Sequence, residues 1–311
     1  MRGPVLMRFE YEARPRCVCG ELLGGGVRRE FDHPWGQVVF ERCGACASWL
    51  QAPQIRADSL ARWYDSAAYR GSSREAGAGY HDYFADEANR LVEARARASV
   101  DLLGLVPPPA DALEIGCATG SQLAALVEYG YRVHGIDLAA EFVEFARERY
   151  ALDVYCGDFL TAPVSESTFD LVLMYGTLSN LPDPDAQLER VARVLRPGGV
   201  LATNLPLADS LTARVFGRRY WMFTPSVSSF MSRRGVRSLL ERTGLVGIEI
   251  RQDWQQPSWG KLLHHARLGH LLRAARVLGW AEKRLPTRLP IPGVALALAR
   301  RALPSSREHP H

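Results

Sequence analysis

Residues 111–120 read DALEIGCATG. Ala112, Leu113 and Ile115 have the apolar character of a strand buried on both faces. Glu114 then leads into Gly116, Ala118 and Gly120, small residues that let a backbone turn sharply and approach a ligand with no large side chain between. The stretch predicts a parallel strand entering a helix through a ligand-facing turn. Several chemistries share such a turn, and spacing separates them. A triphosphate loop needs Lys and then Ser or Thr after its last glycine, but here Ser121 follows Gly120 directly. A dinucleotide turn reads G-x-G-x-x-G, whereas this one reads G-x-A-x-G with an acidic residue two places before the first glycine.

Working outward, strand and helix patterns alternate, as in a parallel sheet covered by helices on both faces. Leu123, Leu126 and Val127 mark the helix after the turn, with Gly130 at its C-terminal cap. The next strand carries Val133 and Ile136 and ends in Asp137, one helix beyond the glycine turn. An acidic residue placed there can accept the two ribose hydroxyls of a bound nucleoside. A helix over 139–150 and a strand in LDVYCGDF follow; Asp158 can accept the adenine amino hydrogens, with Phe159 flanking the ring. Asp158 also reads as turn chemistry after Gly157. Phe169–Met174 is a fourth strand, with Tyr175 and Gly176 leaving it at the same sheet edge. A helix with Leu188, Val191, Val194 and Leu195 turns through Pro197, Gly198 and Gly199 into a fifth strand ending near Leu205.

LEIGCATG, VHGIDLA, GDF, FDLVLMYGTLSNLPDP and LRPGG stand in the order and spacing of class I S-adenosylmethionine (SAM)-dependent methyltransferases, and residues 110–205 resemble that family. The resemblance implies a Rossmann-like, doubly wound, mostly parallel seven-stranded α/β sheet. It implies a cofactor site of Glu114, Gly116, Cys117, Ala118, Gly120, Asp137, Leu138, Asp158, Phe159 and Tyr175, the glycine turn passing under the amino-acid end of SAM. VGIEIRQDW and GVALALARRA then read as sixth and seventh strands, paired in reversed direction at one sheet edge.

Four of the six cysteines fall in two clusters, Cys17 with Cys19 and Cys43 with Cys46, separated by a short aromatic-rich segment. Two facing turns of this kind can supply four thiolates to one structural zinc, in a ribbon over residues 1–52. The first pair is C-x-C, Arg16 standing where an outer cysteine is usual; the alternative reading is four reduced thiols without metal. Residues 53–110 read as a helical lid or linker, rich in tyrosine (Tyr69, Tyr80, Tyr83), and closed by Gly104 and Pro107–Pro109. The segment NLPLADSLTARVFGRRYWMFTPSVSSFMSRRGVRSLLERTGL is similar to a narrower branch, bacterial methyltransferases with an N-terminal zinc ribbon. That resemblance implies that the segment after the fifth strand, residues 206–235, builds an acceptor pocket, with Trp221 and Phe223 at its aromatic positions. Ser226, Tyr69 and Tyr83 are further pocket candidates, the tyrosines reading either as packing against the core edge or as a lid over the cofactor. The branch has histidines where Asn180 and Ser226 stand here. Three options follow: a proton acceptor elsewhere, such as His81, His264 or His265; an acceptor that needs none; or an inactive copy. His81 and Asn180 are the candidate catalytic residues.

Composition narrows the rest. Three hundred and eleven residues with 47% hydrophobic content can bury a large core. The net charge of +4 rests almost wholly on arginine, Lys261 and Lys283 being the only lysines, and no basic run is interleaved with stacking aromatics, so no nucleic-acid partner is expected. No secretory or membrane-spanning apolar run is read, which predicts a cytoplasmic protein. Residues 254–290 form a second insertion, in which 258–285 is basic and amphipathic. It reads as a helix beside the acceptor pocket or as a contact with a partner or membrane surface. Residues 304–311 read as a tail, and the catalytic domain as 111–303. The expected function is methylation of a small metabolite (a sugar, polysaccharide precursor or secondary metabolite) on oxygen or nitrogen rather than carbon. A non-catalytic scaffold of the same fold is the alternative.

Overall fold

The computed structural model describes residues 8–33, 35–64, 66, 83–84, 87–220, 222–255, 271, 278–280 and 289–304. Its centre is a seven-stranded sheet made of β6 (Asp111–Ile115), β7 (Arg132–Asp137), β8 (Val154–Cys156), β9 (Phe169–Leu173), β10 (Leu195–Pro206), β12 (Leu245–Gln255) and β13 (Leu289–Arg301). The spatial order is β12-β13-β10-β9-β6-β7-β8. β6 pairs in parallel with β7 and β9, and β10 in parallel with β9, while β13 lies antiparallel between β10 and β12. The strand order reverses on either side of β6, so the chain leaves the sheet in opposite directions there and opens a crevice at the carboxyl ends of the strands.

Burial explains the strand sequences. Leu113, Leu171, Val172, Leu173 and Leu201 are 0% exposed, as expected for strands covered on both faces. Each such side chain is worth about 1.5–3 kcal/mol of transfer free energy. Among the helices around the sheet are α2 (Glu87–Arg97), α3 (Ser121–Glu128), α4 (Ala140–Tyr150), α5 (Pro184–Val194), the short α6 (Leu211–Phe216) and α7 (Arg233–Arg242). The amino ends of the strands are tied by charge: Arg132 and Arg196 both grip Asp111, and Arg196 reaches Asp170. The hydrogen bonds from Arg132 come first among the causes that hold the Asp111 carboxyl down at about 2. That end of the sheet is a rivet, which leaves the carboxyl end for chemistry.

The N-terminal region forms a second, smaller sheet of β2 (Arg28–His33), β3 (Gly36–Arg42) and β4 (Trp49–Gln51). A fourth strand completes it, β11 (Ser229–Phe230), contributed from beyond the fifth strand of the large sheet. Ser229 pairs with Leu50 and Phe230 with Trp49. A short pair, β1 (Tyr11–Glu12) with β5 (Gln54–Ile55), carries this unit past residue 52 and into α1 (Ala57–Tyr64).

Candidate functional site

The turn after β6 is built as its sequence predicts. Gly116 and Gly120 have φ of +74° and +81°, and Ala118 has φ of +47°, so three residues occupy the left-handed region within one turn. A Cβ on Gly116 would lie 2.4 Å from Thr177 Oγ1, and one on Gly120 would lie 2.7 Å from Leu152. Glycine at 116 lets this turn meet the loop after β9 directly. The N–H groups of Gly116 and Cys117 both donate to the carbonyl of Ile136, which ties the turn to the end of β7.

Three acids stand around that turn. Asp137 closes β7, its Oδ2 accepting from the Ala118 N–H at 2.8 Å and its Oδ1 from Ala139 N–H at 2.9 Å. Burial raises its pKa against the pull of those amides. Each oxygen still has a lone pair for a ligand hydroxyl. Glu114 is 4% exposed, and burial pushes its carboxyl up to about 8. Its Oε2 is buried without a hydrogen-bond partner. An orphaned acidic oxygen inside a protein is costly unless a ligand completes it. Asp158 shows its turn chemistry, Oδ1 accepting from Leu160 N–H and Gln187 Nε2, and its side chain stands half-buried beyond β8.

The other cofactor candidates divide by what their side chains touch. Leu138 is 39% exposed beside Asp137, an apolar surface at the ligand edge. Tyr175 leaves β9 with its hydroxyl buried and unpartnered. Cys117 differs from the expectation: its thiol is 3% exposed and sits among Leu123, Val143 and Val154, so only its backbone borders the turn. Phe159 also differs, being 2% exposed in the core with the Arg190 guanidinium 5.1 Å from its ring, so the ring is not open to flank a base.

The residues expected on the acceptor side are tied to the small sheet. Ser226 is 0% exposed and its Oγ accepts from Trp63 Nε1 at 3.1 Å; that burial leaves it no face toward an acceptor. Phe223, 6% exposed, stacks on Phe31 and meets Phe40, Trp49 and Phe230 edge-on, so it fills the core between the two segments rather than lining an open pocket. Gln51 lies across the same segment, its Nε2 donating to the carbonyls of Pro225 and Val227 at 2.9 and 2.8 Å. Asn180 donates to the Gly176 carbonyl at 3.0 Å, and its own carbonyl accepts from Ser228 Oγ. It holds the loop after β9 in place. Tyr83 packs against Phe142 of α4. His81, Tyr69, Trp221, His264 and His265 lie outside the described residues, as does nearly all of 258–285.

Cys17, Cys19, Cys43 and Cys46 come together, their sulfurs all within 4.8 Å of one another. Cys17 and Cys46 are 3.4 Å apart and Cys19 and Cys43 3.7 Å. These separations are too long for a disulfide bond and close to the edge of a tetrahedron with Zn–S distances of about 2.3 Å. The late position of Cys17 is absorbed by a tight turn, in which Gly20, at φ +92°, donates to the Cys17 carbonyl. Cys46 connects onward: its carbonyl accepts from Ser232 Oγ, which caps α7.

Two features were not legible in the sequence. Arg97, on the inward face of α2, places its guanidinium 4.4 Å from the Tyr175 ring. Burial opposes its charge, but Tyr175, Asp253, Glu93 and Glu114 around it raise its pKa. Asp253 sits where the pairing of β12 with β13 shifts register between Gln252 and Trp254. Such an irregularity re-aims a side chain. Asp253 is 2% exposed and accepts from Asn204 Nδ2, whose Oδ1 accepts from Gly176 N–H. A lone arginine on a polar helix and an aspartate in an edge strand carry no motif, so only the fold brings them to the site.

Residues 113–203 match the family model of a methyltransferase domain. A trans-aconitate 2-methyltransferase from an Azoarcus species is 36% identical over 38% of this chain and 48% of its own length. A 27-O-demethylrifamycin SV methyltransferase from Amycolatopsis mediterranei is 34% identical over 40% of this chain and 49% of its own. The chain thus spans about half the length of these curated relatives. In fold it is similar to a phosphoethanolamine N-methyltransferase of Haemonchus contortus solved with SAM, at a TM-score of 0.54 and 16% identity over 88% of this chain and 71% of that one.

Proposed function

We propose that this chain, which carries a class I SAM-dependent methyltransferase domain, transfers the sulfonium methyl group to a small-molecule acceptor, on oxygen or nitrogen. The observation that carries the reading is the buried, unpartnered Glu114 Oε2 beside the left-handed turn at Gly116–Gly120. The methionine end of SAM has no phosphate; it is a zwitterion. Glu114 fits its ammonium, and Arg97, held over Tyr175 and forming no ion pair with Glu114 among the described residues, fits its carboxylate. Asp137 fits the ribose and exposed Leu138 the base. When bound, SAM supplies the activated methyl group, and the sulfur leaves as a neutral thioether. The protein then has to position the acceptor in line and exclude water. With no histidine at 180 or 226, proton removal falls to another group or is not needed. The four-cysteine cluster fits a structural zinc, since no ligand position is left open for chemistry. The name of one relative, a 27-O-demethylrifamycin SV methyltransferase, favours oxygen as the acceptor atom.

Calorimetric titration with SAM and with methylthioadenosine, which lacks the amino-acid end, tests the assignment without an acceptor. Wild type should bind both. Glu114→Gln and Arg97→Gln should each weaken SAM by about tenfold or more, the scale of a charge-assisted hydrogen bond, and leave methylthioadenosine within about threefold. Equal losses for both ligands would remove the zwitterion assignment. Absence of SAM binding by folded protein would leave a non-catalytic scaffold of the same fold.

A further inference from the structure

Successive residues of β2 point to opposite faces of the small sheet, and its two arginines have opposite fates. Arg28, on one face, is ion-paired with Glu41 at 2.8 Å. Arg29, on the other, has no carboxylate partner among the described residues. Its guanidinium instead lies 4.3 Å from the Trp49 ring and 5.4 Å from that of Phe223. Arg218 comes to the same face from the segment after β10, its guanidinium 5.5 Å from Phe31 and its Nη2 donating to the Glu30 carbonyl at 3.1 Å. Arg42, opposite Trp49 across the ladder, completes the group; it too has no ion pair among the described residues. Like charges so placed repel: besides burial, Arg218 and Arg42 are what lower the pKa of Arg29.

An arrangement of three guanidinia around an aromatic floor, two of them fixed by rings, is unfavourable while empty of counter-charge and favourable once an anion enters. Planar forks preset in this way suit a phosphoryl group. We propose that Arg29, Arg42 and Arg218 form a subsite for the phosphoryl group of an organic phosphate ester, at the seam between the small sheet and residues 206–235. Half-buried Phe31 offers apolar surface to the organic part, while Trp49, buried beneath Arg29, serves as the floor that fixes the guanidinium. That this ester is the methyl acceptor rests on the function proposed above; the subsite itself does not.

The test is a phosphorus NMR titration of the full chain with phenyl phosphate and with inorganic phosphate, at constant ionic strength. Phenyl phosphate should bind saturably and several-fold more tightly than inorganic phosphate. Arg29→Gln and Arg218→Gln should each weaken it about tenfold, whereas Arg28→Gln, which removes the same charge from the opposite face, should change it less than twofold. Arg29→Lys, which keeps the charge and loses the fork, should fall between. Non-saturable binding, equal affinity for the two phosphates, or an equal loss in Arg28→Gln overturns the proposal. SAM titration of the same samples separates the two readings. Phenyl phosphate binding without SAM binding sinks the methyltransferase and keeps the subsite; SAM binding without phenyl phosphate binding does the reverse.

Discussion

The proposed cofactor side and the proposed acceptor side of this molecule are built by different means. The cofactor side comes from one contiguous run, β6 through the loop after β9, and its shape is set by backbone: left-handed residues at 116, 118 and 120, with Asp137 binding the turn through amides. The acceptor side has no local rule. Residues 224–235 are held by the small sheet and α1, far earlier in the chain, through β4–β11 pairing, Gln51, Trp63 and the Cys46–Ser232 hydrogen bond. A site assembled in this way lets the cofactor half stay constant while the acceptor half is set by a separate unit.

The strongest way to break that contrast is at the four-cysteine cluster. A structural metal contributes several kcal/mol to a small domain that cannot otherwise close its core. Metal stripping, or Cys46→Ser, should therefore speed amide hydrogen exchange in residues 224–235 by about a hundredfold or more. Exchange across residues 111–137 and SAM affinity should hold within about threefold. Uniform loosening of both halves would show that they are one cooperative unit.

Gln51→Ala is the milder cut at the same joint. It leaves the carbonyls of Pro225 and Val227 short of donors in a buried place, at a cost of about 2–3 kcal/mol in urea unfolding. SAM binding should not follow. On the cofactor side the matching change is Gly116→Ala, where the new Cβ meets Thr177 Oγ1 at 2.4 Å in a left-handed backbone. A cost of about 1–3 kcal/mol is expected, with a loss of SAM affinity. Gly176→Ala is the control: φ is +68° but the space around a Cβ is open, so it should cost less. Equal effects at 116 and 176 would mean that close approach of the two loops does not shape the site.

The same division decides what the sequence discloses. Strand identity, the glycine turn and the turn chemistry of Asp158 are legible because apolar runs, punctuating glycines and short polar side chains are local features. The set of four thiols is legible because cysteine spacing is local too. Ser226 and Phe223 are misplaced by analogy, since their burial against Trp63 and Trp49 depends on β11 joining a distant sheet. Phe159 carries an aromatic ring at a ligand-facing position in the chain, yet the ring turns inward under Arg190. Arg97 and Asp253 escape notice because their role depends on which way a helix face and a strand irregularity point.

The smallest effect is in pH, and it concerns Glu114. Burial raises its carboxyl to about 8, so the free protein carries it largely protonated at neutral pH. In the proposed site a bound ammonium favours the ionised form and draws the pKa down, so SAM binding should release a proton from Glu114. Affinity therefore falls as pH drops below about 8, approaching tenfold per unit, or 1.4 kcal/mol. Above that pH the gain stops, because the carboxyl is already ionised while an α-amino group, with a pKa of about 7.7–8.0, begins to lose its charge. The expected profile is a maximum near pH 8, with proton release seen as a dependence of the calorimetric heat on buffer ionisation enthalpy. Glu114→Gln should flatten the acid side of the profile, whereas Asp137→Asn should lower affinity at every pH and leave the slope in place. A slope that survives in Glu114→Gln would assign the titration to another group and leave the orphaned oxygen without its ammonium.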